Sequence, residues 1–215
     1  MCIRDRVYRT VLRYFPESEL ATCNLASILL RNERAAEALQ LLAATGSTTP
    51  ELVNARAAAL ALTGETEQAV RLLEPLAGIS EQARYNLGLM CAALNRTQEA
   101  YTYLRKFADV NSALAALAIG ANADAATILD SCADDRSAKA EYARALVAAR
   151  NNDATAVARH LEIACRDAFL QRRTVGEPDF DPYRTDAAFR KAVSGNKCCL
   201  LYTSDAADDT PGVDL

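Results

Sequence analysis

Small residues recur through the first half of this chain at one fixed interval, and that interval limits the possible folds more than any other feature. Ala26, Ala57 and Gly88 stand 31 residues apart, and Ala38, Ala69 and Ala100 repeat the interval twelve residues further along each unit. Leu29, Leu60 and Cys91 accompany the first set, and Leu42, Leu73 and Leu104 the second. A period of this length signals one supersecondary unit used repeatedly, each copy burying its apolar face on the next. Small side chains at two fixed places let helix axes approach to about 8 Å. Leucines three and four places away then fill the groove between them. The polar runs Arg31-Asn32-Glu33-Arg34, Thr63-Gly64-Glu65-Thr66 and Leu94-Asn95-Arg96-Thr97 separate the two apolar stretches of each unit, which therefore reads as helix, tight turn, helix.

The pattern continues in weaker form. Asn111–Ile119 reads as a short first helix, Gly120 as its turn, and Ala125 with Leu129 as a second helix. After a break at Asp134-Asp135-Arg136-Ser137, Ala138–Arg150 forms a first helix with Tyr142, Ala145 and Leu146 on its apolar face. Asn151-Asn152-Asp153 then leads to a second helix carrying Val157, Leu161 and Ala164. Arg172-Arg173-Thr174-Val175-Gly176 reads as a polar break, and Ala187–Val193 as a closing helix. Phe180, Tyr183 and Phe189 are placed to cover the apolar end of the stack. Scarce Gly and Pro, abundant Ala and the absence of Trp agree with an all-α chain.

These residues resemble the tetratricopeptide (TPR) family. The resemblance rests on Asn86-Leu87-Gly88 with Asn95 and Ala100, and on Asn24-Leu25-Ala26 with Ala38 and Pro50; Pro16 and Pro50 are 34 residues apart, the family's full period. It covers about 7–193 and is densest over 17–107. It implies an α-solenoid of antiparallel helix pairs, with the end of a preceding repeat at 7–16 and units at 17–50, 51–80, 81–110, 111–135 and 136–172. A short capping segment follows at 173–193, similar to the closing segment after the last repeat of bacterial proteins. Two units shortened to 31 residues imply trimmed loops near Thr45–Thr49 and Leu76–Ser80.

Both termini stand apart from this pattern. Residues 1–5 and 199–204 can be coded by strings that are reverse complements of each other, a relation resembling translated sequencing adapter, so about 1–6 and 199–215 are expected to be adapter-derived and the chain a fragment of a longer protein. Setting aside four aspartates at one end and a net single positive charge at the other brings the formal charge from −4 to about −1. Such a balance argues against nucleic acid, which demands clustered Lys and Arg. No apolar run reaches the roughly 18–20 residues of a membrane span, so no direct insertion of this segment is expected.

Little in the sequence suggests chemistry. Cys23, Cys91, Cys132 and Cys165 are isolated and lack metal spacing, so they read as small core residues. His160, the single histidine, has no nucleophile at a recognisable spacing and reads as a solvated helix-face residue. Arg172-Arg173 reads as a solvated pair. The carboxylates of Glu65, Glu67, Asp179 and Asp181 read as helix-start and turn residues. No phosphate-binding glycine loop is present, and no cofactor, metal or catalytic residue is expected.

The resemblance places the concave surface on the first helices, where projection puts Cys23, Ser27, Leu30, Asn54, Ala58, Ala61, Tyr85, Leu89 and Ala92. This set is small and apolar, unlike the Lys, Arg and Asn of family members that clamp a terminal carboxylate. It implies contact with an apolar or helical protein or peptide partner, or else a surface packed on itself. The expected function is a non-catalytic scaffold. The alternatives are a spacer without ligand and a regulatory arm of an enzyme whose catalytic domain lies elsewhere. General similarity to TPR segments of Gram-negative cell-envelope proteins implies a periplasmic or outer-membrane-associated place, with a cytoplasmic alternative.

Overall fold

The turns show most directly why this sequence folds as it does. In the computed structural model, which describes residues 3–194, five helix pairs are each joined by three residues: 32–34, 63–65, 94–96, 119–121 and 151–153. The middle residue of each turn has positive φ: Glu33 59°, Gly64 88°, Asn95 58°, Gly120 79° and Asn152 59°. The following N–H reaches back five residues in every case, from Arg34 to Leu29 O (2.9 Å), Glu65 to Leu60 O (2.8 Å), Arg96 to Cys91 O (2.8 Å), Ala121 to Ala116 O (2.9 Å) and Asp153 to Ala148 O (3.0 Å). This closure satisfies the carbonyls left open at a helix end and reverses the chain. Turns so short leave the second helix antiparallel to the first.

The described residues form two compact units, 3–104 and 105–194. The first holds α1 (Ile3–Tyr14) and the pairs α2 (Glu19–Arg31) and α3 (Ala35–Ala43), α4 (Pro50–Leu62) and α5 (Thr66–Leu73), and α6 (Glu81–Ala93) and α7 (Thr97–Leu104), with a 3-10 turn at Glu74–Leu76. Ser18, Thr49 and Ser80 precede the first helices at the same 31-residue interval. Ser18 Oγ accepts from Ala21 N (3.4 Å) and Ser80 Oγ from Ala83 N (3.2 Å), while Thr49 is followed by Pro50 at the first helical position.

All six recurring small residues are buried, and Ala26, Ala38, Ala57 and Ala69 are fully enclosed. Gly88 marks a close approach of α6 and α7: a Cβ there would lie 2.6 Å from Leu104 Cγ and 3.2 Å from Tyr103 Cβ. Two apolar clusters result, one around Leu25, Leu29, Leu42 and Leu52, the other around Leu60, Leu73, Leu87 and Cys91. Arg56 of α4 donates to Leu42 O near the end of α3 (2.7 Å), binding one pair to the next.

Residues 3–6, set apart in the sequence, form the first turn of α1. Asp5 is only 1% exposed and pairs with Arg9 and with Arg34 (3.2 Å). Burial alone would raise its carboxyl pKa, but the hydrogen bonds and charges of the two arginines outweigh this and hold it low. Residues 199–215 lie outside the described residues.

The second unit holds α8 (Val110–Ala118) with α9 (Asn122–Ser131), α10 (Ala138–Arg150) with α11 (Ala154–Ala164), then α12 (Ala168–Gly176), a 3-10 turn at Pro178–Tyr183 and α13 (Ala187–Ser194). Asp109, Ser137, Asp153 and Asp167 cap α8, α10, α11 and α12 with side-chain oxygens. Phe180, Tyr183 and Phe189 are buried; Phe180 meets Tyr142 edge-on at 6.0 Å, and Tyr183 Oη donates to Ala149 O (2.8 Å). Arg150 joins three elements, donating to Leu117 O (2.7 Å), Asn122 Oδ1 (2.7 Å) and Asp179 Oδ2 (2.8 Å).

One segment differs from the sequence expectation. Residues 172–176, expected as a break, complete α12. Asp167 accepts from Leu170 N (2.9 Å) to start that helix, and Leu170 with Thr174 forms its buried edge. Arg173 is also engaged, its guanidinium lying 5.7 Å from the centre of the Tyr142 ring. All described secondary structure is helical, and none of these helices is long and apolar enough to cross a membrane.

Candidate functional site

In the first unit α2 and α4 each pack against the second helix of their own pair and against the next first helix, so only part of their outer surface stays accessible. In the first unit this divides the nine expected surface residues. Ser27 and Ala92 are exposed, while Cys23, Leu30, Asn54, Ala58, Tyr85 and Leu89 are half-buried. Ala61, at 2% exposure, lies within the core beside Leu60 and Leu73 and offers nothing to a partner.

The structure joins one of these residues to Asn86, which the sequence marked as part of the repeat and not as a surface residue. Asn86 Nδ2 donates to Asn54 Oδ1 (3.0 Å), and Gln82 Nε2 donates to Asn86 Oδ1 (3.3 Å), an amide chain linking α4 and α6. Cys23 and Leu30 pack against the cluster around Leu25. Burial, followed by the charges of Glu51 and Glu19, pushes the Cys23 thiol pKa up. Cys91 is pushed further, to about 11, chiefly by burial. Both thiols are therefore poor nucleophiles near neutral pH.

A buried polar network lies in the second unit, around a residue that sequence patterning missed. Glu141, in the first turn of α10, is fully buried. Its carboxylate receives His160 Nδ1 of α11 at 2.6 Å, Arg144 Nη1 at 3.0 Å and Arg136 Nη1 at 3.3 Å. Arg144 also donates to Asp135 O (2.7 Å) and Cys132 O (2.9 Å), closing the end of α9 as Arg56 closes α3. Burial raises the Glu141 pKa, but hydrogen bonds from His160 and Arg136 and the charges of His160 and Arg144 prevail and hold it below the usual glutamate range.

His160 is therefore a packed member of this network, 14% exposed, and not the solvated residue expected. Its Nε2 faces Arg159 Nη2 at 3.2 Å. A guanidinium has only donors, so in a neutral imidazole this nitrogen would accept and Nδ1–H would donate to Glu141. The signal for Glu141 was present in the helix period: it lies four residues before Ala145 and one before Tyr142, on the apolar face, with Arg144 one turn on.

Over this network runs an open groove of about 400 Å³, floored by α10 and walled by α9 and α11. Ala126, Val147 and Ala156 give it half-buried apolar surface, and Arg136 and Arg159 stand exposed at its rim. Among the described residues no group of three or more His, Cys, Asp or Glu is arranged to hold a metal ion. No family model and no curated protein matches the chain. The two arrangements thus differ in kind: a small-residue face with an amide chain on α2, α4 and α6, and an arginine-rimmed groove over α10.

Proposed function

We propose that this chain is a non-catalytic, TPR-like scaffold that holds a protein or peptide partner. The observation that carries the reading is the repeated turn and crossing: five pairs closed by the same positive-φ geometry, with small residues buried at equivalent places in three of them. Repetition of one rigid unit generates extended surface more readily than a converging pocket, and extended surface suits a macromolecular partner. The polar groups of the second unit support the same reading. Glu141 is enclosed and spent on Arg144, His160 and Arg136, which suits it to holding helices together.

A random-peptide display selection on the full chain tests the proposal, with a parallel selection on Ser27→Arg/Ala92→Arg, which alters exposed positions of the first-helix face. The expected result is a discrete consensus, selected by the parent and changed or lost in the variant if that face is used. Absence of any consensus would favour the spacer reading and overturn the scaffold.

A further inference from the structure

We infer that the open side of α1 takes a helix of a partner polypeptide, one that presents a small residue to Val11 and an amide side chain to Asn24. The inference rests on the scaffold reading and specifies a surface and a kind of partner for it.

Position in the repeat carries the argument. In the first unit α3 packs between α2 and α4, and α5 between α4 and α6, so each of these second helices has a first helix on both sides. Among the described residues α1 packs closely on one first helix alone, α2. Tyr8 and Leu12 make that contact, resting on the cluster around Leu25 and Leu29. Three intervals of 31 residues before Ala100 and Leu104 stand Val7 and Val11. Ala38, Ala69 and Ala100 are enclosed, whereas Val7 is 52% exposed and Val11 half-buried. Tyr14, two turns beyond Val7 on the same side of the helix, is exposed too, and Phe15 extends the apolar surface past the helix end. None of these residues belongs to 1–6.

The complete pairs show what fits there. Gly88 of α6 lies so near Leu104 of α7 that a Cβ would stand 2.6 Å from Leu104 Cγ. A helix set against α1 in the same way must present a small residue to Val11, the counterpart of Leu104. First helices also meet one another, and Asn86 Nδ2 of α6 donates to Asn54 Oδ1 of α4 (3.0 Å). Two intervals before Asn86 stands Asn24 of α2, half-buried and without a side-chain hydrogen bond among the described residues. A helix beside α1 and α2 would bring an amide to Asn24 as α4 brings Asn54 to Asn86. The required combination exists in α4 itself, where Ala57 follows Asn54 by three residues. A second copy of α1 fits less well: it would set valine against valine where each complete pair of the first unit has alanine or glycine.

The test uses the full chain and, as probe, an end-blocked, fluorescein-labelled peptide with the sequence of α4, Pro50–Leu62, followed by anisotropy. A second peptide carries Ala57→Phe. The first should bind, and the second should bind at least about tenfold more weakly. In the full chain Val7→Asp should weaken the first peptide by a similar factor, and Asn24→Ala by a smaller one. Val7 is exposed, so Val7→Asp should fold, as circular dichroism would confirm; if it does not, Asn24→Ala carries the comparison. Hydrogen exchange on peptide addition should slow in α1 and α2. No binding, equal binding of the two peptides, protection confined to other helices, or indifference to both changes would overturn the inference. So would a dimer in sedimentation that Val7→Asp abolishes, which would assign the face to a second copy. A display consensus obtained alongside such a result would leave the scaffold standing, whereas failure of both would remove it too.

Discussion

Glu33 occupies a backbone conformation that glycine or asparagine takes in the other four turns. Its φ of 59° places Cβ against the following peptide, and its side chain is exposed. Glu33→Gly should therefore stabilise the chain by about 0.5–1 kcal/mol, the relief of left-handed strain exceeding the extra freedom given to the unfolded chain. Urea unfolding would show this as a higher midpoint with unchanged slope; a lower midpoint would mean that Glu33 contributes a contact outweighing its strain. The 31-residue interval makes position 33 legible as the counterpart of Gly64 and Asn95. The identity of the residue alone would not mark it as a turn.

At the scale of elements, legibility followed the relation between burial and residue type. Ala138–Arg150 was readable to its ends because its buried residues, Glu141 apart, are apolar and Ser137 precedes it. Residues 168–176 were not, because two adjacent arginines disguised a helix whose buried edge consists of little more than Leu170 and Thr174. Glu141 was missed for the opposite reason: it is a charged residue on a buried face, balanced by groups that come from the preceding turn, the next turn of its own helix and another helix. Such balance depends on tertiary approach, which periodicity does not encode.

Removing one member should accordingly cost more than a surface pair would. Glu141→Gln preserves shape but leaves Arg144 and His160 without their anion, and should destabilise by on the order of 2–3 kcal/mol at neutral pH. The sign of the pH dependence follows from the lowered pKa of Glu141. Its stabilisation is fully present above the unfolded-state pKa and is lost as pH falls through the lower folded-state value. The gap between parent and variant should therefore close in acid, below the usual glutamate range, as read from unfolding free energies across pH. A gap that widened in acid would contradict the assignment of Glu141 as the ionised partner.

For the whole molecule, equivalent positions should respond alike. Ala38, Ala69 and Ala100 each stand where a second helix crosses its first, at 0%, 0% and 1% exposure. Leucine is nearly as good a helix former as alanine, so propensity alone predicts little change. Packing predicts a loss of about 1–3 kcal/mol, since a larger side chain must push two helices apart. Gln98, exposed on α7, supplies the control, and Gln98→Leu should stay within about 0.5 kcal/mol of the parent. The measurement is the unfolding free energy of Ala38→Leu, Ala69→Leu and Ala100→Leu against that control. All three should lose stability by about 1–3 kcal/mol. If any one of them is as harmless as Gln98→Leu, the three helix pairs are not equivalent units, and the repeat on which the fold and its surfaces are built is contradicted.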